Sequence, residues 1–75
     1  MRLRDILFAG APTYLIWARD HHAYYRSNYS GYTTDAISAG RYTREEAERE
    51  CRRVPHELSM VMPDGSHMRF DREAA

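Results

Sequence analysis

Apolar and polar positions divide this chain into blocks with two different periods. Tyr14-Leu15-Ile16-Trp17-Ala18 is an unbroken run of apolar, aromatic and β-branched residues, which predicts a strand. Arg19-Asp20-His21-His22 is polar and predicts the loop, and Ala23-Tyr24-Tyr25-Arg26-Ser27 the returning strand. A four-residue loop sets Trp17 opposite Tyr24 and Ile16 opposite Tyr25. Side chains then alternate between faces. One face carries Tyr14, Ile16, Ala18, Ala23 and Tyr25; the other carries Leu15, Trp17, Tyr24 and Arg26. Both are largely apolar, so the hairpin must be covered twice or expose an aromatic face.

Asn28-Tyr29-Ser30-Gly31 is turn chemistry, with a brief extension at Tyr32 and Thr33. Thr34 or Asp35 is placed to cap a short helix through Ala39, which Gly40 would end in a left-handed conformation. Thr43 and Glu46 form a capping box, opening the main helix from about Arg44 to Val54. Tyr42, just before the cap, is placed to staple onto Ala47. The buried stripe of the helix is narrow: Ala47, Cys51 and Val54. Glu45 with Arg49, and Glu48 with Arg52, are acid-first pairs four apart. Pro55 stops the helix. Leu58, Met60 and Met62 alternate with Ser59 and Val61 and predict a strand. Pro63-Asp64-Gly65 predicts a turn. His67-Met68-Arg69-Phe70-Asp71 closes a second hairpin with Met68 and Phe70 on the core face.

The expected fold is α+β: a small antiparallel sheet of two hairpins packed by one main helix, in the order β-β-(short α)-α-β-β. Residues 13–71 form the single domain. Residues 1–12 read as an appendage that packs on the core or on another chain, and residues 72–75 as a frayed end.

Size adds a constraint. A chain of 75 residues buries roughly 8,000 Å² on folding. The apolar part contributes about 110 kcal/mol, and ordering the chain costs about as much. That balance is marginal for a monomer and leads to the expectation of a homodimer. Eleven basic and eleven acidic residues cancel, which argues against a polyanion-binding surface as the main feature. All eleven basic residues are Arg. A GC-rich genome accounts for that choice without function; planar bidentate contacts are the functional alternative. The single cysteine excludes an internal disulfide and fits a reducing cytoplasm. The apolar run near the N-terminus is too short and interrupted for a membrane span or a signal peptide.

Candidate chemistry is sparse. His21, His22, Cys51, His56 and His67 show no metal-ligand spacing, so neither a metal nor another cofactor is expected. Cys51 falls on the apolar stripe and reads as a small buried hydrophobe rather than a nucleophile. Glu45, Glu46, Glu48 and Glu50 interleave with arginines, as on a solvated helix face. Arg and Tyr carry the best functional signal. Trp17, Tyr24, Arg26, Tyr32 and Arg41 are the candidate contact residues, since such side chains dominate protein interfaces. Tyr24, Arg26, Tyr29, Tyr32, Arg41 and Tyr42 could also stack bases and hold phosphates, which makes nucleic acid the second choice of partner.

The segments Tyr14-Leu15-Ile16-Trp17, Tyr24-Tyr25-Arg26, Gly31-Tyr32-Thr33, Ala39-Gly40-Arg41-Tyr42 and Glu46-Ala47 together resemble a group of small proteins from phages, prophages and proteobacterial mobile elements. Tyr24 and Tyr25 stand where tryptophans are common in that group, and Ser27 where proline is. The resemblance covers residues 14 to about 50 and carries over no enzymatic activity. It implies a non-catalytic binding protein acting on a host protein complex in the bacterial cytoplasm. An inhibitor of bacterial defence, of the anti-CRISPR type, is its most concrete form.

Overall fold

The computed structural model describes residues 13–71; the expectations for residues 1–12 and 72–75 lie outside the described residues. The fold is α+β, one five-stranded antiparallel sheet packed by one helix. The strands are β1 (Leu15–Ala18), β2 (Ala23–Tyr25), β3 (Tyr32–Thr33), β4 (Leu58–Val61) and β5 (His67–Arg69), in the spatial order β3-β2-β1-β4-β5. Both expected hairpins form. Trp17 faces Tyr24 in the first, as the loop length requires. The two hairpins join through β1 and β4, which sets Leu15 opposite Val61, Ile16 opposite Met60 and Trp17 opposite Ser59.

Helix α1 (Arg44–Arg53) starts at the expected box. The Thr43 hydroxyl accepts from the Glu46 amide at 3.1 Å, and the Glu46 carboxylate accepts from the Thr43 amide at 2.9 Å. Hydrogen bonding of the Glu46 carboxylate to the Thr43 backbone, and secondarily to the Thr43 side chain, holds this carboxyl below its usual range. Along α1, Glu48 pairs with Arg52 as expected and also with Arg44. Glu50 takes Arg53 at 2.7 Å, one helical turn on.

The core lies between α1 and the inner face of the sheet. Ile16, Ala18, Leu58 and Met60 meet Ala47 and Cys51 there, all at most 2% exposed. Phe70 closes one end, with the Arg52 guanidinium 4.5 Å above its ring. Met68 has the inward parity expected of it but stays 40% exposed, because β5 is an edge strand at the side of the core. Burial pushes the Cys51 thiol up to about 12, which fits a small core residue and not a nucleophile.

The middle of the chain departs from expectation. No short helix forms over residues 35–39; a single turn stands in its place. The Asp35 carboxylate accepts from the Ile37 amide and the Ser38 hydroxyl, satisfying the turn locally without further helix. Gly40 is not a left-handed stop, since positive φ among the glycines belongs to Gly31 and Gly65. Its role is close approach. A Cβ at Gly40 would lie 2.6 Å from the Ser27 nitrogen and 2.7 Å from the Arg26 carbonyl carbon.

That contact shows how the chain is routed. It leaves the sheet after β2, makes a 3-10 turn (Ser27–Tyr29), adds β3 and returns beside its point of departure. The Gly40 amide bonds to the Tyr25 carbonyl at 2.9 Å. Tyr42 then pairs with Tyr14 through two backbone bonds of 2.8 and 2.9 Å. The returning segment thus continues the line of β2 alongside β1. Tyr42 points inward and is buried; its hydroxyl donates to the Arg26 carbonyl and accepts from the Tyr29 amide. By strand parity, Arg41 points the other way.

Candidate functional site

The helix covers one face of the sheet only. The opposite, outer face carries the side chains of reverse parity: Leu15 and Trp17 on β1, Tyr24 on β2, Ser59 and Val61 on β4, His67 and Arg69 on β5. Trp17 and Tyr24 are register partners, and their rings meet edge-on at 4.8 Å. Trp17 also meets the His67 ring edge-on at 6.2 Å, although β4 runs between their strands. Ser59 makes this possible. It faces Trp17 across the β1–β4 ladder, and its side chain is too short to separate the two rings.

Beside this strip lies a groove of about 300 Å³. Leu15, Val61 and Tyr24 line it, with Arg41 and His67 also on its wall and Met62 among its apolar residues. Arg41 reaches it because the returning segment turns this side chain outward. Its Nη1 donates to the carbonyls of Ala36, at 3.1 Å, and Ala39, at 2.8 Å. The 35–39 turn that replaced the expected helix is therefore the clamp that orients Arg41. Ile37 projects from the same turn with 86% of its surface exposed.

The other end of the outer face holds paired charges. Arg19 donates to the Leu58 carbonyl and the Ser59 hydroxyl, both at 2.7 Å, and to the Pro55 carbonyl at 2.9 Å. It also lies 3.7 Å from Asp71, which pairs with Arg69. This knot ties the end of α1 to β4 and shares one carboxylate between two arginines.

The five residues singled out from sequence do not share one surface. Trp17 and Tyr24 touch, and Arg41 lines the same groove as Tyr24. Tyr32 faces the other way, opposite Tyr25 on the helix side of the sheet. It packs on His21 at 4.2 Å and on Tyr25 at 5.6 Å. Arg26 is tied to the same edge, its Nε donating to the Tyr32 carbonyl at 3.1 Å. This second cluster continues through Tyr29, which packs on Tyr42 at 5.0 Å. The Tyr25 hydroxyl bonds to Glu50 at 3.1 Å, and its pKa is raised, first by burial and then by that carboxylate.

Leu15, Val61, His67 and Ile37 were not among the contact residues expected from sequence. For His67 a signal existed: it alternates with Met68 and Phe70, which places it on the face opposite the core. Its approach to Trp17 depends on β4 pairing with β1, and no local pattern encodes that. Among the described residues, no three or more His, Cys, Asp and Glu side chains gather as a metal site would require, and no helix is long and apolar enough to cross a membrane. No protein-family model, curated protein or solved structure matches the chain.

Proposed function

We propose that this chain is a small non-catalytic binding protein, and that the outer face of its sheet docks on a larger protein. One arrangement carries the reading. An aromatic strip, Tyr24–Trp17–His67, lies between a groove with apolar and basic walls and a knot of paired charges. Protein interfaces combine such an aromatic and apolar centre with a rim of mixed charge. A nucleic-acid surface would call for a continuous basic track. Here Arg19 and Arg69 share Asp71, and Arg26 sits with Tyr32 in the other cluster.

The resemblance over residues 14 to about 50 supplies the biological form of the proposal: a phage or mobile-element inhibitor that occupies a host complex in the bacterial cytoplasm, with anti-CRISPR activity as its most specific version. A two-fold homodimer, expected from the marginal size of the core, would compete for the same outer face.

The test starts from a partner captured from host lysate, identified, purified and titrated against the chain. Tyr24→Ala should weaken that complex by about 2 kcal/mol while the chain stays folded, with a melting shift no larger than that of Leu15→Ala. Tyr29→Ala, in the other cluster, should leave affinity unchanged. Loss of the partner on nuclease treatment, with log affinity falling steeply and linearly with log salt, would replace this reading by nucleic-acid binding. Sedimentation of the isolated chain as a dimer that Tyr24→Ala dissociates would assign the face to a second copy.

A further inference from the structure

We infer that the groove at the Arg41 end of the outer face receives an acidic peptide segment of the partner, with an apolar side chain against the half-buried Leu15 and Tyr24 and a neighbouring carboxylate on Arg41. The inference rests on reading the outer face as a protein-docking surface and adds the chemistry of what docks there.

Charge complementarity supports it. Among the described residues, no Asp or Glu lines the groove, whereas Arg41 and His67 both do. Asp64 belongs to the neighbouring turn, but its carboxylate accepts from the amide and hydroxyl of Ser66, at 2.9 and 2.6 Å. Arg41 has no carboxylate partner among the described residues. Its hydrogen bonds go to two backbone carbonyls, and both come from Nη1. That leaves the Nη2 and Nε donors, the edge of the guanidinium that pairs with a carboxylate through two parallel bonds.

The clamp also orders the side chain before a ligand arrives, so less rotamer entropy is lost on binding. Arg19 and Arg69 are engaged with Asp71, Arg44 and Arg52 with Glu48, and Arg53 with Glu50; Arg26 and Arg49 do not line the groove. Size matches as well. About 300 Å³ accommodates one or two side chains of an extended segment, at the lower end of the range for ligand sites.

The experiment is a titration of the full ¹⁵N-labelled chain, followed by amide shifts, with 4-phenylbutyrate and separately with its neutral analogue 4-phenylbutyramide. The expected result is shifts at Leu15, Tyr24, Arg41 and Val61, with the carboxylate binding about tenfold tighter than the amide. Arg41→Gln should abolish that preference, and Arg49→Gln, on α1, should preserve it. The comparison of the two probes on the unaltered chain needs no variant, so disturbance of the 35–39 turn in Arg41→Gln does not affect it.

Equal binding of the two probes, or no shifts in the groove at millimolar probe, overturns the inference. A Tyr24-dependent protein partner found alongside such a result leaves the docking face standing without its acidic ligand. Tighter binding of a short oligonucleotide than of the carboxylate at the same amides overturns both readings and assigns the groove to nucleic-acid phosphate.

Discussion

The two faces of this sheet are built from the same strands and resolve the same problem differently. On β1, Ile16 and Ala18 point at α1 and are at most 1% exposed, while Leu15 and Trp17, between and beside them, remain partly open. The inner face is closed by a helix whose buried stripe is only Ala47 and Cys51, small enough to let the backbone lie close to the sheet. The outer face has no covering element among the described residues, although Ser59 and Val61 on the central strand β4 are at most 5% exposed beneath the side chains around them. Equal apolar content along a strand therefore does not mean equal burial. What separates the faces is the supply of a second layer, and this chain has one described helix to provide it.

The sharpest way to break this comparison is to truncate neighbours of opposite parity. Ile16→Ala should cost about 3 kcal/mol in chemical denaturation, since a fully buried side chain leaves a cavity. Leu15→Ala should cost about 1 kcal/mol, because its site is open to water. Equal losses would mean that the outer face is as closed in solution as the inner one.

Gly40→Ala should cost about 2 kcal/mol, because the added methyl meets the backbone of Arg26 and Ser27, which has no rotamer to yield. The same change should weaken partner binding, since Gly40 fixes the return of the segment that carries Arg41. Normal stability with normal binding would show that the returning segment has slack.

The smallest effect concerns the covering helix. Thr43→Ala should cost about 1 kcal/mol at neutral pH. The Glu46 carboxyl titrates lower in the folded chain than in the unfolded one, so its ionised form favours folding. That contribution is complete above the unfolded value near 4.3 and disappears as pH falls through the lower folded value. The gap between Thr43→Ala and the parent should narrow across that acid window. A gap that is constant from pH 7 to pH 3 would show that the two halves of the box act independently.

Local signals predicted the parts that depend on nearest neighbours. The loop of four between Ala18 and Ala23, the Thr43–Glu46 box and the Pro63-Asp64-Gly65 turn each rest on residues a few positions apart, and each appears where expected. The 35–39 segment did not follow its pattern. Asp35 satisfies one turn by itself, and the chain must return to β1 within a few residues, so a helix has neither the hydrogen bonds nor the room to continue. Gly40 was read as a conformational stop because sequence shows that a residue lacks a side chain but not what occupies the space. The candidate contacts divided for a related reason. Trp17 and Tyr24 are joined by hairpin register, whereas Tyr32 falls on the opposite face by parity within a strand of two residues.

The amino-acid sequence by itself determined the α+β class, the two hairpins, the capped helix and the aromatic content of both sheet faces, because short-range periodicity and turn chemistry act within a few residues. Tertiary structure alone decided that β1 and β4 pair, that α1 covers the inner face, and that Arg41, Tyr24 and His67 meet around one groove. Those choices compare whole packings of distant segments, and the free energy that selects among them resides in contacts that no local stretch of sequence contains.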